Sequence, residues 1–153
     1  MSDDLEDLYR ETIMDHARAP HHFGLRDGAA AESHQLNPTC GDEVTVQLHV
    51  SADGERVESL SWEGHGCAIS QASASLLSDL VVDLPAADLT RRIDEFREMM
   101  RSRGQVEGDE ELLGDAVVLG GASRYVARVK CAMLSWVAVE DALAKLPAHT
   151  LVE

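Results

Sequence analysis

Val44, Val46, Leu48 and Val50 alternate with Glu43, Thr45, Gln47 and His49, and this period of two predicts a strand with one face in a core and the other in water. Such a strand needs partners along its edges. Ser51-Ala52-Asp53-Gly54 supplies a turn, and Arg56 to Glu63 returns antiparallel with Leu60 and Trp62 on one face. Val57 breaks the parity of that face, so a bulge or a late strand start is expected there. Ala31 to Leu36, ahead of Pro38, reads as a short edge strand.

The remaining patterns are helical. Leu5, Leu8, Tyr9, Thr12, Ile13 and His16 recur at helical spacing, with Asp3, Asp4 and Glu6 in the first turn and His16, Arg18 and Pro20 at the end. From Ala68 a small-residue segment carries Ile69, Ala72, Leu76 and Leu80, which predicts a helix packed closely on the sheet and ended by Leu84-Pro85. Leu89, Ile93, Phe96 and Met100 mark another helix behind Asp88 as N-cap, closing before Gly104. A polar link from Gln105 to Glu111 leads to Leu112-Leu113 and an apolar run, Ala116 to Leu119, which Gly120-Gly121 breaks. The last helix begins near Val126 and carries Cys131, Leu134, Val137, Ala138 and Leu143 to a stop at Pro147. Trp62 and Trp136 read as packing anchors.

A chain of 153 residues is about one domain long and can build a core without disulfide staples. Its 28 acidic against 13 basic residues give a net charge of -15, which repels a phosphate backbone and argues against nucleic acid as a partner. A basic protein surface suits that charge, although a well-solvated acidic surface accounts for most of it. The start, Ser2-Asp3-Asp4-Leu5-Glu6, has no basic and apolar leader, and no window reaches the ~18 apolar residues of a membrane span. A soluble cytoplasmic protein with no membrane partner is expected. Gly120-Gly121 lacks the Lys-Ser of a phosphate loop.

The three cysteines carry the chemistry. Cys40 lies in Asn37-Pro38-Thr39-Cys40-Gly41-Asp42-Glu43, Cys67 in Gly64-His65-Gly66-Cys67-Ala68, and Cys131 in Arg128-Val129-Lys130-Cys131-Ala132. An odd number cannot pair off into disulfides, whereas three thiolates and one further donor complete a tetrahedral zinc or iron site. In extended backbone Cys40 and Asp42 project to the same side, so a thiolate and a carboxylate face one point. Cys67 follows Gly66 at a strand-to-helix junction, where unpaired backbone N–H groups and the helix dipole favour a thiolate. Cys131 has a weaker form of that field, with Arg128 one turn behind it and Lys130 beside it. A lone cysteine is more often a small buried apolar residue. Here the polar, turn-rich surroundings predict exposure instead, although the spacing is long and contains no Cys-x-x-Cys pair. His65 reads first as a loop or supporting histidine and only second as a ligand. His16, His21, His22, His34, His49 and His149 read as surface or structural residues.

These three cysteine segments, with Ile69-Ser70 and Ala72-Ser73-Ala74-Ser75 after Cys67 and with Asp15-His16 and Pro20 in the opening helix, resemble the iron–sulfur assembly family that includes the IscU and NifU N-terminal scaffolds. The chain is most similar to the SufU branch. The segment between Cys67 and Cys131 is long, holding the helix around Leu89 to Met100, and Lys130 stands where the IscU scaffold carries a histidine. The resemblance implies an α+β fold, a small antiparallel three-stranded sheet packed against several helices. It implies a single IscU/SufU-like domain over residues 1–153, with an inserted helical segment at about 84–115. It further implies Zn2+ held by Cys40, Asp42, Cys67 and Cys131, and a sulfurtransferase activity. In that activity a SufS-type pyridoxal-phosphate cysteine desulfurase passes persulfide sulfur to Cys40, after a histidine of the desulfurase has displaced Cys40 from zinc. Arg128 would act as a catalytic residue that steadies Asp42 or the freed thiolate, and a downstream iron–sulfur assembly scaffold would receive the sulfur. The alternatives are a scaffold that assembles an iron–sulfur cluster, with iron or cluster in place of zinc, on the same cysteines, and a zinc-stabilised structural adaptor.

Overall fold

The computed structural model describes residues 2–38 and 41–146, with side chains from Tyr9 onward. The alternating segment is strand β2 (Asp42–Val50), paired antiparallel with β1 (Ala31–Asn37) on one side and β3 (Arg56–His65) on the other. Ser33 faces Val46, which faces Trp62; Ala31 faces Leu48, which faces Leu60. These rows form the inner face of the sheet, where Val46, Leu48, Leu60 and Trp62 are all fully buried. The expected parity break is a register shift between His49 and Val50, after which Val50 pairs with Val57. The extra residue turns Val57 back into the core, where it too is fully buried.

The sheet has four strands rather than three. Leu84–Pro85, read from sequence only as a helix stop, forms β4 and pairs with Arg56 and Val57. Two residues are too short to show a period, so nothing in the pattern distinguished strand from stop. Farther along the same edge of β3, Phe23 bridges Trp62. Together they cover an edge that would otherwise expose unpaired backbone groups.

Helices cover the inner face. The last, α5 (Val126–Ala144), lies along β1 and β2, while α2 (Ala68–Leu80) packs on β3 and α5 and in turn carries α1 (Ser2–Arg18). Small side chains on α2 allow this close approach, with Ala72, Ser73, Ala74, Ser75 and Ser78 all buried. Two of its serines fasten its neighbours. Ser73 Oγ donates to the Ala132 carbonyl at 2.6 Å and accepts from Trp136 Nε1 at 2.9 Å, while Ser75 Oγ meets His16 Nδ1 of α1 at 2.7 Å. Side chains of Leu5 and Leu8 lie outside the described set; the packed side of α1 is seen in half-buried Tyr9 and Ile13 and in buried His16.

Helix α3 (Ala86–Arg101) begins earlier than expected. Pro85, not Asp88, is its N-cap, because the N–H of Ala86 is met by the Glu55 carbonyl at 2.9 Å and no side-chain cap is required. Asp88 sits in the first turn and pairs with Arg91 and Arg92 at 2.9 and 2.8 Å. Phe96 stacks on Trp136 with ring centroids 3.8 Å apart, fixing α3 to α5. Beyond α4 (Glu110–Leu113), the apolar run joins a 3₁₀ segment, Gly114–Arg124, that continues through Gly120-Gly121 instead of breaking there. Helix α5 ends by Ala144, and its expected stop at Pro147 lies outside the described residues.

Candidate metal centre

The inward row of β2 does not end with its hydrophobic residues. Asp42 shares the parity of Val44 and Val46, so the strand carries its carboxylate onto the helix-covered face, where it is 0 % exposed. Where β3 ends, Gly66 leads into α2 and Cys67 caps that helix in extended backbone, φ −71° and ψ 168°. The Cys67 N–H donates to Asp42 Oδ1 at 2.9 Å, and Cys67 Sγ lies 3.9 Å from Oδ2. Cys131, in the second turn of α5, brings the third donor. One Asp42 oxygen and both sulfurs lie within 4.8 Å of one another.

Gly66 makes this approach possible. Its φ is +154°, and a Cβ there would fall 2.2 Å from Asp42 Oδ1 and 2.7 Å from Ser70 Oγ. A side chain would therefore push the carboxylate out of place.

The cysteines differ in a way their local sequence concealed. Cys67 is exposed as expected, but Cys131 is buried at 5 % exposure. Its neighbours Arg128 and Lys130 belong to the exposed side of α5, whereas Cys131 shares the inner stripe with Leu134, Ser135, Ala138 and Ala142. Cys40, with Thr39, lies outside the described residues.

This donor set fits a zinc ion. Zn–S and Zn–O bonds of about 2.3 and 2.1 Å at a tetrahedral angle put sulfur and oxygen about 3.6 Å apart, close to the 3.9 Å between Cys67 and Asp42. A carboxylate removed from water also calls for a nearby cation. Beside Asp42 on the paired strand, Asn37 buries a side-chain Nδ2 without a hydrogen-bond partner. That donor faces no acceptor among the described residues.

The other named residues lie around this centre. Arg128 is exposed, its guanidinium 5.0 Å from the centroid of the Tyr125 ring. His65 is drawn to the outer face of the sheet, where its Nε2 lies 3.0 Å from Glu43 Oε1, while His34 Nε2 meets Oε2 of the same carboxylate at 2.5 Å. The hydrogen bond from His34, then that from His65, holds the Glu43 carboxyl below the usual range despite partial desolvation.

A second grouping was missed from sequence. His16, His21 and Asp79 bring potential ligand atoms within 4.8 Å of one another at the far end of α2. Burial, then the neighbouring His21, holds the His16 imidazole below its ordinary value. His21-His22 after Pro20 was the only local signal, since Asp79 is 58 residues from His21. His49 instead bonds Ser61 Oγ at 2.7 Å, and His149 lies outside the described residues.

Residues 8–132 match the family described as the NifU-like N terminal domain. The chain belongs to that family. It is 41% identical to the "Zinc-dependent sulfurtransferase SufU" of Bacillus subtilis, over 92% of this chain and 92% of that protein. It is 37% identical to the "Iron-sulfur cluster assembly scaffold protein IscU" of Streptococcus pyogenes, over 91% of this chain and 84% of that one. Among solved structures, the N-terminal part of a NifU-like protein from Brucella abortus superposes with a TM-score of 0.81 at 25% identity, covering 92% of this chain and 95% of its own. The α+β fold is thus that of the IscU/SufU group. Among the described residues no helix is long and apolar enough to cross a membrane.

Proposed function

We propose that this chain is a zinc-dependent sulfurtransferase that accepts persulfide sulfur on Cys40 from a SufS-type cysteine desulfurase and hands it to a downstream iron–sulfur assembly scaffold in the cytoplasm. The observation that carries this reading is the mixed donor set, buried Asp42 with Cys67 and Cys131, in which Asp42 stands two residues after Cys40 in the sequence. Zinc on these donors and Cys40 would keep the thiols ionised at neutral pH. A single carboxylate among soft sulfurs suits a centre that exchanges a ligand better than a closed structural site.

The chemistry assigned to the chain is thiol exchange. The Cys40 thiolate attacks the terminal sulfur of the partner's persulfide; a new S–S bond forms on Cys40, the partner's S–S bond breaks, and its cysteine leaves as a thiolate. No external oxidant or reductant is consumed. Asn37 Nδ2, a buried donor with no partner among the described residues, is assigned to stabilise the anionic sulfur of Cys40. Arg128, at the exposed rim, is assigned to steady Asp42 or the freed thiolate, a move that requires it to leave the Tyr125 ring. We take residues 1–153 as one domain and the helices within about 84–115 as its insertion; they include α3 and α4.

Adding the zinc-loaded protein to the desulfurase with cysteine should accelerate sulfide or alanine production strongly, and Cys40→Ala should abolish that acceleration. If Cys40→Ala accelerates as the parent does, the acceptor role is wrong. The scaffold reading is favoured by the relative named IscU at 37% identity. A stable iron–sulfur cluster on Cys40, Cys67 and Cys131 after reconstitution would favour that reading instead.

A further inference from the structure

Asp79 stands twelve residues after Cys67, about 18 Å along α2 at 1.5 Å per residue, so the groups gathered there form a site of their own. Three separate segments contribute: His16 from the last turn of α1, His21 from the loop that follows, and Asp79 from the last turn of α2. Ser75 Oγ sits between the first two, 2.7 Å from His16 Nδ1 and accepting the His21 N–H at 2.8 Å. Asp79 reaches His21 Nδ1 with one oxygen at 2.6 Å and His22 Nε2 with the other at 3.1 Å. The loop is fixed from behind, because the His21 carbonyl accepts from Trp62 Nε1 at 2.9 Å and Ser78 Oγ at 3.2 Å. Histidine ligands are commonly oriented by such supporting hydrogen bonds.

One nitrogen from each imidazole and one Asp79 oxygen lie within 4.8 Å of one another, and the His16 and His21 ring centroids are 4.5 Å apart. A tetrahedral ion at 2.0–2.1 Å from its ligands needs them about 3.3 Å apart, which modest rotations of the half-exposed His21 and Asp79 side chains can supply. Asp15 and Asp115 add negative potential around His16. Two imidazoles and a carboxylate suit zinc, nickel, cobalt or copper, and not the all-oxygen preferences of calcium or magnesium.

We propose that His16, His21 and Asp79 form a second divalent-metal site, for an ion of the zinc, nickel or copper type, that ties α1 and the loop after it to the C-terminal end of α2. This site does not depend on the sulfur-transfer reading. Its ligands already bond to one another and to Ser75, so an ion must displace contacts and binds less tightly than at the thiolate centre.

The test titrates further Zn2+ into full-length protein already loaded with one zinc, followed by calorimetry and thermal unfolding. A second equivalent should bind and raise the melting midpoint, and its affinity should fall at least about ten-fold in His21→Ala and in Asp79→Asn. Both side chains are about half exposed, so the variants should fold, and retention of the first zinc verifies it. No second equivalent, or unchanged second binding in both variants, overturns the proposal. Substoichiometric Co2+ added to the zinc-loaded parent gives a variant-free check: it should broaden the ring-proton resonances of His16 and His21 first. Broadening confined to other histidines would refute the site.

Discussion

Helix α2 starts at one cluster of ligand-type side chains and ends at another, and the two are held differently. At its N-terminus, Asp42 is fully buried, and the contacts seen for its carboxylate are the Cys67 N–H at 2.9 Å and the Cys67 sulfur at 3.9 Å. At its C-terminus, Ser75, Ser78, Asp79, His21 and His22 form a connected hydrogen-bond network. A saturated network keeps its shape without an ion, whereas a buried carboxylate among sulfurs relies on a cation for compensation. The difference teaches which end is built to rearrange. On the proposed reading, the sulfur end, which shows fewer such hydrogen bonds for Asp42 among the described residues, is the one that releases a ligand when another donor arrives.

The largest expected effect follows from removing a sulfur. Cys67→Ser or Cys131→Ser should weaken zinc binding by more than about 100-fold, beyond what supporting residues give, and should abolish desulfurase acceleration. Metal analysis after dialysis checks this, and chelation of the parent should lower its melting midpoint. An unchanged midpoint after chelation would mean that the sulfur end is as self-sufficient as the other, and the comparison would fail.

The middle of α2 separates these ends and depends on ordinary packing. Trp136→Ala, which removes a fully buried ring stacked on Phe96 and bonded to Ser73, should cost about 3–5 kcal/mol in denaturant unfolding. Gly66→Ala should act at the sulfur end alone, weakening zinc roughly 10- to 100-fold by displacing Asp42 while leaving the histidine cluster intact. Equal disturbance of both ends would show that α2 transmits the strain.

The smallest effect is in pH dependence. Burial, then the nearby Arg26, holds His49 below its ordinary value of 6.5, with Glu58 opposing. Above that value both folded and unfolded forms are neutral and the stability is fully present. As pH falls below it, the unfolded chain takes up a proton that the folded one resists, so stability declines until the folded value is reached. His49→Gln should flatten part of the stability slope as pH falls below 6.5, and His16, also held low, should keep the remainder. An unchanged slope would show that His49 has no part in it.

The strands were largely legible in the sequence because their signals are local, and Asp42, Cys67 and Cys131, three of the residues singled out from it, come within 4.8 Å of one another. The alternation of Val44, Val46 and Leu48 reports a half-buried strand by itself, and the parity break at Val57 announced the bulge. The structure extends the same parity back to Asp42, one residue before the alternation read from sequence. What escaped was non-local or too short. Cys131 was misjudged because Arg128 and Lys130 describe the opposite side of α5, and β4 offers only two residues. The histidine cluster joins α1 to Asp79, and no period within either segment carries information about the other.

The central claim is that Cys40 receives sulfur while Asp42, Cys67 and Cys131 retain the metal. Intact-protein and peptide mass spectrometry after incubation with desulfurase and cysteine, with zinc measured on the same sample, tests it most directly. The account predicts one sulfur atom added on the Cys40 peptide, none on those of Cys67 and Cys131, and about one zinc retained at the thiolate centre. Sulfur on Cys67 or Cys131 with Cys40 unmodified, or transfer that proceeds equally in zinc-free protein, would contradict it.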